Sequence, residues 1–361
     1  MDINEILEIA PYSLSKEEKR QLLNDRLHEL TRKHYEKCEP YRRMMDAMGL
    51  DINNLPDYEQ LPFLPVRLFK EFELRSCEKE EVVKTMTSSG TTGQLVSRIF
   101  LDRETSSAQQ KCLTKIVSYF IGNKRINMLI LDSSAVIKNR NMFSARGAGI
   151  LGFSMFGSKR QYALDEDMEL DIEGMKTFLE AHKGETIFMF GFTFMVWQHF
   201  YKKLLETGFQ PDLSKGVLIH GGGWKKLVNE KVSPEEYKVR LNEVCGILPE
   251  NVHDYYGMVE QTGCVYMECK CGHLHASTFS DVLIRRPYDF SLAEVGEKGL
   301  VEVVSMHPGS YPGHVLLTED EGMILGEDDC PCGLKGKYFK IEGRIKNAEI
   351  RGCSDTYAAK F

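Results

Sequence analysis

The sequence predicts an α/β protein with mostly parallel sheets, flanking helices and a smaller β-rich subdomain. Short apolar runs, typical of strands buried on both faces, alternate with stretches of helical periodicity. The predicted buried strands are Ile126–Leu131, Thr186–Phe190 and Val217–His220. From Cys264 onward the sequence has many turns and strands and no strong long helix, which predicts the β-rich subdomain.

The composition is that of an ordinary globular protein, with 42% hydrophobic and 27% charged residues. A net charge of -7 argues against a general nucleic-acid partner. No run of 18 apolar residues is present, and the N-terminus is acidic and polar, so we expect neither a membrane span nor a secretory signal. The ten cysteines are then expected to be thiols or metal ligands in a cytoplasmic protein.

The first 50 residues predict a layer of packing helices. Ser15 and Glu18 form a capping box, and Gly49 stands where a helix C-cap is expected. Further helices are predicted over 107–120, 168–182 and 192–208.

The most biased stretch runs from Lys84 to Gln94. Five of the six residues from Thr87 to Thr92 carry small hydroxyl side chains, and Gly90 and Gly93 complete the loop. Such a loop brings backbone N–H groups and hydroxyls close to an anion, because no bulky side chain intervenes. The spacing matches neither the Walker nor the Rossmann pattern. A flexible connection between strands is the alternative. We interpret the stretch as the phosphate loop of an ATP-using enzyme.

Two more glycine-bearing turns follow predicted strands. Gly221–Gly223 would let a flat ring approach the backbone, and Tyr255-Tyr256-Gly257 offers aromatic faces for stacking a base. In open α/β sheets, ligands bind outside the carboxyl ends of the strands. Glu260 follows at a distance suited to a Mg²⁺ ion between phosphates. Taken alone, each has a plainer interpretation: a tight turn, core aromatic residues and a solvated surface glutamate.

With these residues in place, the chain resembles the adenylate-forming superfamily of acyl-CoA synthetases. Within it, the chain resembles the bacterial acyl-protein synthetases of the bioluminescence fatty-acid reductase complex, also called long-chain-fatty-acid–luciferin-component ligases, which are related to phenylacetate-CoA ligases. Four segments carry the match in the family order: Thr87–Gly93, Tyr256-Gly257-Met258-Val259-Glu260, Leu317-Thr318-Glu319-Asp320 and Gly343-Arg344-Ile345-Lys346. Val259 and Glu319 depart from the usual threonine and glycine.

The resemblance implies a role for each matching residue. Gly222 and Tyr256, with Gly257 beside them, would flank the adenine of ATP. Glu260 would bind Mg²⁺, Asp320 would accept hydrogen bonds from the ribose hydroxyls, and Arg344 would lie near the same ribose. The pyrophosphate end of ATP would lie against the loop residues Thr87, Ser88, Ser89, Gly90, Thr91, Thr92 and Gly93.

The resemblance also implies a domain organisation. Residues 1–343 would form the adenylating domain, divided into a helical layer with an α/β body (1–263) and a β-rich subdomain (264–343). Residues 344–361 would be a short tail, so the mobile C-terminal domain of the superfamily, with its catalytic lysine, would be missing or reduced to a stub. Lys84, Lys346 and Lys360 are candidates for a cation at the α-phosphate.

Cys353 is the candidate acyl carrier. It lies in the tail between Gly352 and Ser354, and Arg351 would favour its thiolate form. In the family that the chain resembles, a cysteine near the C-terminus carries the acyl group. An unreactive tail cysteine is the alternative.

Cysteine and histidine residues at two places suggest a structural zinc site. Cys269-Lys270-Cys271-Gly272-His273-Leu274-His275 and Cys330-Pro331-Cys332 supply thiol and imidazole ligands, although C-x-C spacing is not the usual zinc knuckle. The arrangement in phenylacetate-CoA ligase relatives selects Cys269, His275, Cys330 and Cys332, with Cys271 and His273 as spares. Reduced free thiols are the alternative.

The sequence gives the weakest indication for the acyl pocket. Aromatic and methionine side chains in two neighbouring segments would line an apolar tunnel or simply form core, and Arg146–Gly149 would contact the carboxylate or shape its entrance. The residues are Phe188, Met189, Phe190, Phe192, Phe194, Met195 and Trp197.

The predicted activity is ATP-dependent conversion of a carboxylic acid, expected to be a fatty acid, into acyl-AMP and pyrophosphate. Acyl transfer to a protein thiol would follow, with an acyl reductase or acyl-carrier protein as partner. The alternatives are an acyl- or aryl-CoA ligase and a non-catalytic nucleotide-binding subunit.

Overall fold

The N-terminal helical layer forms as predicted in the computed structural model, which describes residues 1–88, 95–138 and 145–345. Ser15 and Glu18 make the expected capping box at the start of the longest of these helices. Gly49 follows the third helix with a φ of +74°, as a left-handed cap requires. The helices are α1 (Ile3–Ile6), α2 (Lys16–Lys37), α3 (Glu39–Ala47) and α4 (Leu68–Glu71).

One mixed sheet organises the described residues, and its first half is parallel. The strand order there is β5-β4-β6-β7-β8, and every neighbouring pair is parallel. The strands are β4 (Ile126–Ser133), β5 (Gly157–Leu164), β6 (Ile187–Phe192), β7 (Gly216–Gly221) and β8 (Val252–Tyr256). Because these strands are parallel, their carboxyl ends meet at one edge.

Helices precede or connect the parallel strands, which confirms the predicted α/β class. Asp102 caps the first of them by accepting a hydrogen bond from the Thr105 amide. The helices are α5 (Arg103–Ile121), α6 (Ala135–Lys138), α7 (Ala145–Phe153), α8 (Ile172–Ala181), α9 (Thr193–Met195), α10 (Lys202–Thr207) and α11 (Pro234–Cys245). No helix in the described ranges has the length and apolarity needed to cross a membrane.

The helix predicted over 192–208 is divided. A π-helical segment, Val196–Tyr201, separates α9 from α10, and Gly208 ends the run with a φ of +67°. Within this wide segment Trp197 stacks on Tyr201, with ring centroids 4.5 Å apart. The apolar pattern of the sequence marks a helix here but does not distinguish a π turn from an α turn.

The strand-rich region predicted after Cys264 forms the antiparallel half of the same sheet. The order continues as β8-β9-β10-β14-β13-β12-β11, and each pair is antiparallel. The strands are β9 (Tyr266–Glu268), β10 (Leu274–His275), β11 (Ser280–Arg285), β12 (Gly299–Ser305), β13 (Val315–Glu327) and β14 (Lys337–Arg344). The sheet is therefore continuous across residue 264.

Two short elements join this frame. Strand β1 (Leu64–Pro65) pairs in parallel with β13. A separate hairpin of β2 (Lys84–Thr87) and β3 (Arg98–Leu101) flanks residues 89–94, so the predicted phosphate loop is the connection between two antiparallel strands.

A buried charge cluster joins the helical layer to the antiparallel half. The Asp281 carboxylate of β11 lies 3.4 Å from Lys19 Nζ of α2 and 2.8 Å from Lys337 Nζ of β14. Tyr58 donates a hydrogen bond of 2.6 Å to the same carboxylate. Burial opposes ionisation of Asp281, but the two ammonium groups and the hydrogen bonds from Lys337 and Tyr58 outweigh it and lower the pKa of Asp281 to about 2.

We expect Asp281→Asn to destabilise the fold by about 3–5 kcal/mol at pH 7, because two buried ammonium groups lose the carboxylate that they share. Urea denaturation measures this difference. The loss should shrink as pH falls from about 4 toward 2, because Asp281 of the unfolded wild-type chain takes up a proton below its pKa of about 3.9, whereas the folded chain keeps Asp281 ionised until the pH reaches about 2. The control is Glu321→Gln, which breaks a half-exposed pair with Lys298 and should cost less than about 1 kcal/mol. Equal losses in the two variants would contradict the interpretation.

Candidate active site

The carboxyl ends of β7 and β8 lie side by side, with Gly221 in register with Tyr255. Gly222 follows with a φ of +79°, and a Cβ atom there would stand 3.2 Å from the Phe192 ring. A side chain at this position would be strained by the backbone and crowded by the ring. The turn after β7 therefore presents bare backbone next to the end of β8, where an adenine site is predicted.

Tyr256, Asp320 and Arg344 form one polar cluster. The Tyr256 hydroxyl donates a 2.7 Å hydrogen bond to Asp320 Oδ2, and Arg344 Nε lies 3.5 Å from Asp320 Oδ1. Asp320 and Arg344 are directly paired across β13 and β14. Burial, reinforced by the Asp320 carboxylate, raises the pKa of Tyr256 well above its ordinary value, so the phenol remains a hydrogen-bond donor.

A second cluster joins the foot of the predicted phosphate loop to Glu260. Ser97 Oγ donates a 2.6 Å hydrogen bond to Glu260 Oε1, and both residues are buried. The Ser97 amide donates to Ser88 Oγ at 2.9 Å, and the Ser88 amide donates to the Ser97 carbonyl at 3.2 Å. Ser88 and Ser97, which flank the predicted loop, are therefore joined to the Tyr-Gly…Glu turn through Glu260.

Thr87 and Gly257 adjoin the two clusters in the chain. Thr87 ends β2 opposite Arg98, next to Ser88. Gly257 continues from Tyr256, and a Cβ atom there would be 3.4 Å from the Val265 side chain. Other predicted residues lie outside the described ranges: Ser89, Gly90, Thr91, Thr92, Gly93, Lys346, Cys353 and Lys360.

Sequence reasoning did not select Ser97. The available signal was weak, since Ser97 is only the next hydroxyl residue along the chain after the biased stretch. Its contact with Glu260 spans 163 positions, so it depends on how β3 and the turn after β8 meet in three dimensions.

Six of the seven residues predicted for the acyl pocket are buried, and the seventh, Phe194, is partly buried. Phe188 and Met189 are fully enclosed in the parallel half and belong to the core. Phe190 and Phe192 lie nearer the strand end: Phe190 stacks on Phe153 at 4.2 Å between centroids, and a Cβ atom at Gly149 would be 2.8 Å from the Phe192 ring. Gly149 of α7 therefore lets the helix approach these rings closely.

Arg146 is buried at the start of α7. Its Nε atom lies 3.0 Å from Asp132 Oδ2 at the end of β4. Burial raises the pKa of Asp132 to about 6, although the charge of Arg146 opposes the shift. The carboxylate that the described contacts place beside Arg146 therefore belongs to Asp132 of the protein and not to a substrate.

The four residues selected as zinc ligands come together. One donor atom from each of Cys269, His275, Cys330 and Cys332 lies within 4.8 Å of all the others. The Cys271 amide donates to Cys269 Sγ at 3.3 Å, and the Leu334 amide donates to Cys332 Sγ at 3.4 Å.

The donor set fits a soft or borderline cation such as zinc, since three thiols and one imidazole are the ligands zinc prefers. Within the described chain, His275 Nδ1 is buried and has no hydrogen-bond partner. Of the spares, His273 Nδ1 lies 3.3 Å from Cys330 Sγ, whereas Cys271 is exposed.

A second cluster of metal-ligand type, not predicted, contains Cys112, Cys264 and His307. Both ring nitrogens of His307 already have protein partners, with Nδ1 2.8 Å from Ser305 Oγ and Nε2 2.9 Å from the Thr262 carbonyl. The cluster is therefore satisfied without an ion.

Comparison with known proteins identifies relatives along almost the whole chain. The chain is 23% identical over 362 residues to the long-chain-fatty-acid–luciferin-component ligase of Vibrio harveyi, covering 98% of this chain and 91% of that protein. It is 22% identical to the ligase of the same name from Aliivibrio fischeri, covering 95% and 90%. A shorter match, 35% identical over 88 residues and covering 23% of this chain and 20% of the other, is to phenylacetate-coenzyme A ligase of Thermus thermophilus.

Solved structures show the same fold. A 2-hydroxyisobutyryl-CoA ligase in a postadenylation state superposes with a TM-score of 0.70 at 14% identity, covering 92% of this chain and 69% of the ligase. Its open conformation gives a TM-score of 0.70 at 15% identity, covering 93% and 77%. The family model "Acyl-protein synthetase, LuxE" matches residues 2–361. The chain is thus a ligase with the adenylate-forming fold and belongs to the acyl-protein synthetase (LuxE) family.

Proposed function

We propose that this enzyme activates a long-chain fatty acid as its adenylate and then transfers the acyl group to its own Cys353 for delivery to a partner reductase. The observation that carries the first half is that Ser97, at the foot of the predicted phosphate loop, donates a hydrogen bond to Glu260. Glu260 follows shortly after Tyr256 in the sequence, and Tyr256 belongs to the cluster with Asp320 and Arg344. The printed names of the relatives support the choice of a fatty acid.

The chemistry explains why such a site is needed. A carboxylate is a poor electrophile, because displacement at its carbonyl would expel oxide. When a carboxylate oxygen attacks the α-phosphorus of ATP, a new O–P bond forms, pyrophosphate leaves, and the mixed anhydride carries AMP as a good leaving group. The transition state concentrates negative charge, so donors and cations placed beforehand lower its energy.

Each polar residue then has a task that its position supports. Tyr256 and Gly222 flank the adenine, while Asp320 accepts hydrogen bonds from the ribose. A carboxylate has about four lone-pair sites, so the bond from Tyr256 does not exhaust Asp320. Arg344 pairs with Asp320 and so lies near the same ribose.

Glu260 offers the hard oxygen ligand that Mg²⁺ prefers. Bound Mg²⁺ supplies positive charge to the phosphates of the nucleotide. The amides of the loop after Ser88 would bind the same phosphates.

The second half of the reaction concerns Cys353, which lies outside the described residues, so its role rests on the sequence. Its sulfur would attack the acyl carbon, a C–S bond would form as the bond to AMP breaks, and the thiol proton would pass to solvent. Arg351, two residues away, favours the thiolate. Transfer to coenzyme A is the alternative, supported by the CoA-ligase names of a relative and of structural neighbours.

We also propose that Cys269, His275, Cys330 and Cys332 hold a structural zinc ion. Four protein ligands would leave no open position, so the ion would stabilise rather than react. The cluster ties the turn after β9 to the turn before β14, and β14 carries Arg344. The cytoplasmic location predicted from the sequence stays a prediction.

The adenylation proposal predicts acid-dependent ATP–pyrophosphate exchange, strongest with long-chain fatty acids. Glu260→Gln should lower the exchange rate by about 100-fold or more, because charge at the phosphates is lost. Glu297→Gln, which alters a peripheral pair with Arg286, should leave it unchanged. If the wild-type protein shows no exchange with any acid tested, the non-catalytic nucleotide-binding subunit is favoured instead.

The acceptor proposal predicts a covalent acyl adduct on Cys353 after incubation with fatty acid, ATP and Mg²⁺ alone, detected by mass spectrometry of peptides. Cys353→Ser should abolish the adduct but retain ATP–pyrophosphate exchange. Cys77→Ser, at a partly exposed cysteine elsewhere, should keep it. An unmodified Cys353 together with CoA-dependent thioester formation would establish the CoA ligase.

The zinc proposal predicts one zinc ion per chain in the purified protein, measured by inductively coupled plasma mass spectrometry. Cys332→Ser should lose the ion and lower the unfolding temperature, because a ligand of a closed site is removed. Cys271→Ser is the matched control, since this neighbouring thiol is exposed and outside the set of four. Zinc-free wild-type protein with unaltered stability in a chelator would refute the site.

A further inference from the structure

Ser97 donates a hydrogen bond to the Glu260 carboxylate. Its hydroxyl lies 2.6 Å from Glu260 Oε1, and the Ser97 residue is fully buried. A hydroxyl that donates to an ionised oxygen forms a charge-assisted hydrogen bond, which is shorter and stronger than one between neutral groups. Burial strengthens it further, because water does not compete.

The backbone of Ser97 closes the neck of the loop. Its amide donates to Ser88 Oγ, and its carbonyl accepts from the Ser88 amide. The two ends of the Ser88–Ser97 segment are thereby held together, so a shift of one end moves the other. The same residue that touches Glu260 therefore also fixes where the phosphate loop begins and ends.

Glu260 is held from its other side through the backbone. Tyr311 donates a 2.9 Å hydrogen bond to the Glu260 carbonyl. The next residue, Gln261, donates from Nε2 to the carbonyls of Val303 and Gly313, at 3.2 and 2.9 Å. These bonds fix the turn but leave the torsions of the Glu260 side chain to be set by contacts such as that with Ser97.

We propose that Ser97 is a positioning residue that couples the phosphate loop to the Mg²⁺-binding carboxylate. This inference rests on the proposed function. By donating to Oε1, Ser97 sets the rotation of the carboxyl group, and each carboxylate oxygen retains lone pairs for a cation. Because Ser97 also joins the two ends of the loop, the distance between the metal ligand and those two ends is fixed.

The chain offers a matched control. Ser310 is also fully buried, and its hydroxyl donates a 2.8 Å hydrogen bond to the Phe100 carbonyl of β3. Ser310→Ala removes a buried hydroxyl of the same size that does not contact Glu260 in the described contacts. A purely structural role for Ser97 predicts the same behaviour in both alanine variants.

The experiment measures binding of ATP at a series of free Mg²⁺ concentrations by isothermal titration calorimetry, with ATP–pyrophosphate exchange as a second readout. In Ser97→Ala, we expect the half-saturating Mg²⁺ concentration to rise about tenfold, the loss typical of one hydrogen bond to a charged group. Ser310→Ala should show the wild-type value, even where its unfolding temperature falls.

A double-mutant cycle with Glu260→Gln isolates the coupling. In that background, Ser97→Ala should cause no further shift. Ser97→Cys keeps a side chain of similar size with a weak donor, so its half-saturating Mg²⁺ concentration should lie between those of wild type and Ser97→Ala. This variant replaces Ser97→Ala in the comparison if the alanine variant does not fold. A shift in Ser97→Ala no larger than in Ser310→Ala, or one that persists in Glu260→Gln, would overturn the proposal.

The two proposals fail separately. Wild-type protein that binds ATP in a Mg²⁺-dependent way but exchanges no pyrophosphate with any acid would refute the adenylation activity, and the calorimetric comparison would still decide the role of Ser97. Wild-type protein that exchanges pyrophosphate while Ser97→Ala keeps the normal Mg²⁺ dependence would refute the role of Ser97 alone. Wild-type protein that binds no ATP with Mg²⁺ would refute both.

Discussion

Strand β8 is the constraint on which the rest of the site depends. On one side it pairs in parallel with β7, and on the other it pairs in antiparallel fashion with β9. This change of direction lets a single sheet contain both the glycine turn after β7 and the long antiparallel strands β13 and β14. Because Tyr256 ends β8 at this seam, its hydroxyl reaches Asp320 of β13.

Buried charges join the helical layer to the antiparallel half of the sheet. Two lysines, one from α2 and one from β14, share the Asp281 carboxylate of β11, with Tyr58 as a further donor. The gain from such a cluster is offset by desolvation, but breaking it leaves buried charge. The cluster therefore fixes the position of β14 relative to α2 more than it adds to stability, and β14 ends at Arg344.

The two polar clusters of the site differ in how they are built. The Tyr256–Asp320–Arg344 cluster depends on strand register, because Asp320 and Arg344 are directly paired neighbours. The Ser88–Ser97–Glu260 cluster depends on hydrogen bonds between turns. Turns outside the sheet ladder open more easily than strands do, so a single buried hydroxyl carries more weight there.

The sequence by itself determined the local structure and the order of the motifs. The capping box at Ser15 and the buried strands were predicted, because caps and apolar periodicity act over a few residues. Resemblance to a family selected the four metal-ligand candidates that the structure then places within 4.8 Å. It also indicated candidate residues for a nucleotide site, since those motifs keep their order along the chain.

Only the tertiary structure decided what depends on contacts between distant segments. The strand-rich third became part of one continuous sheet, a matter of which strand edges pair, and apolar pattern does not encode that choice. The contact of Ser97 with Glu260 and the sharing of Asp281 by Lys19 and Lys337 span from 56 to 262 positions. No local pattern marks such partners, because the hydrogen bonds exist only once packing has brought the segments together.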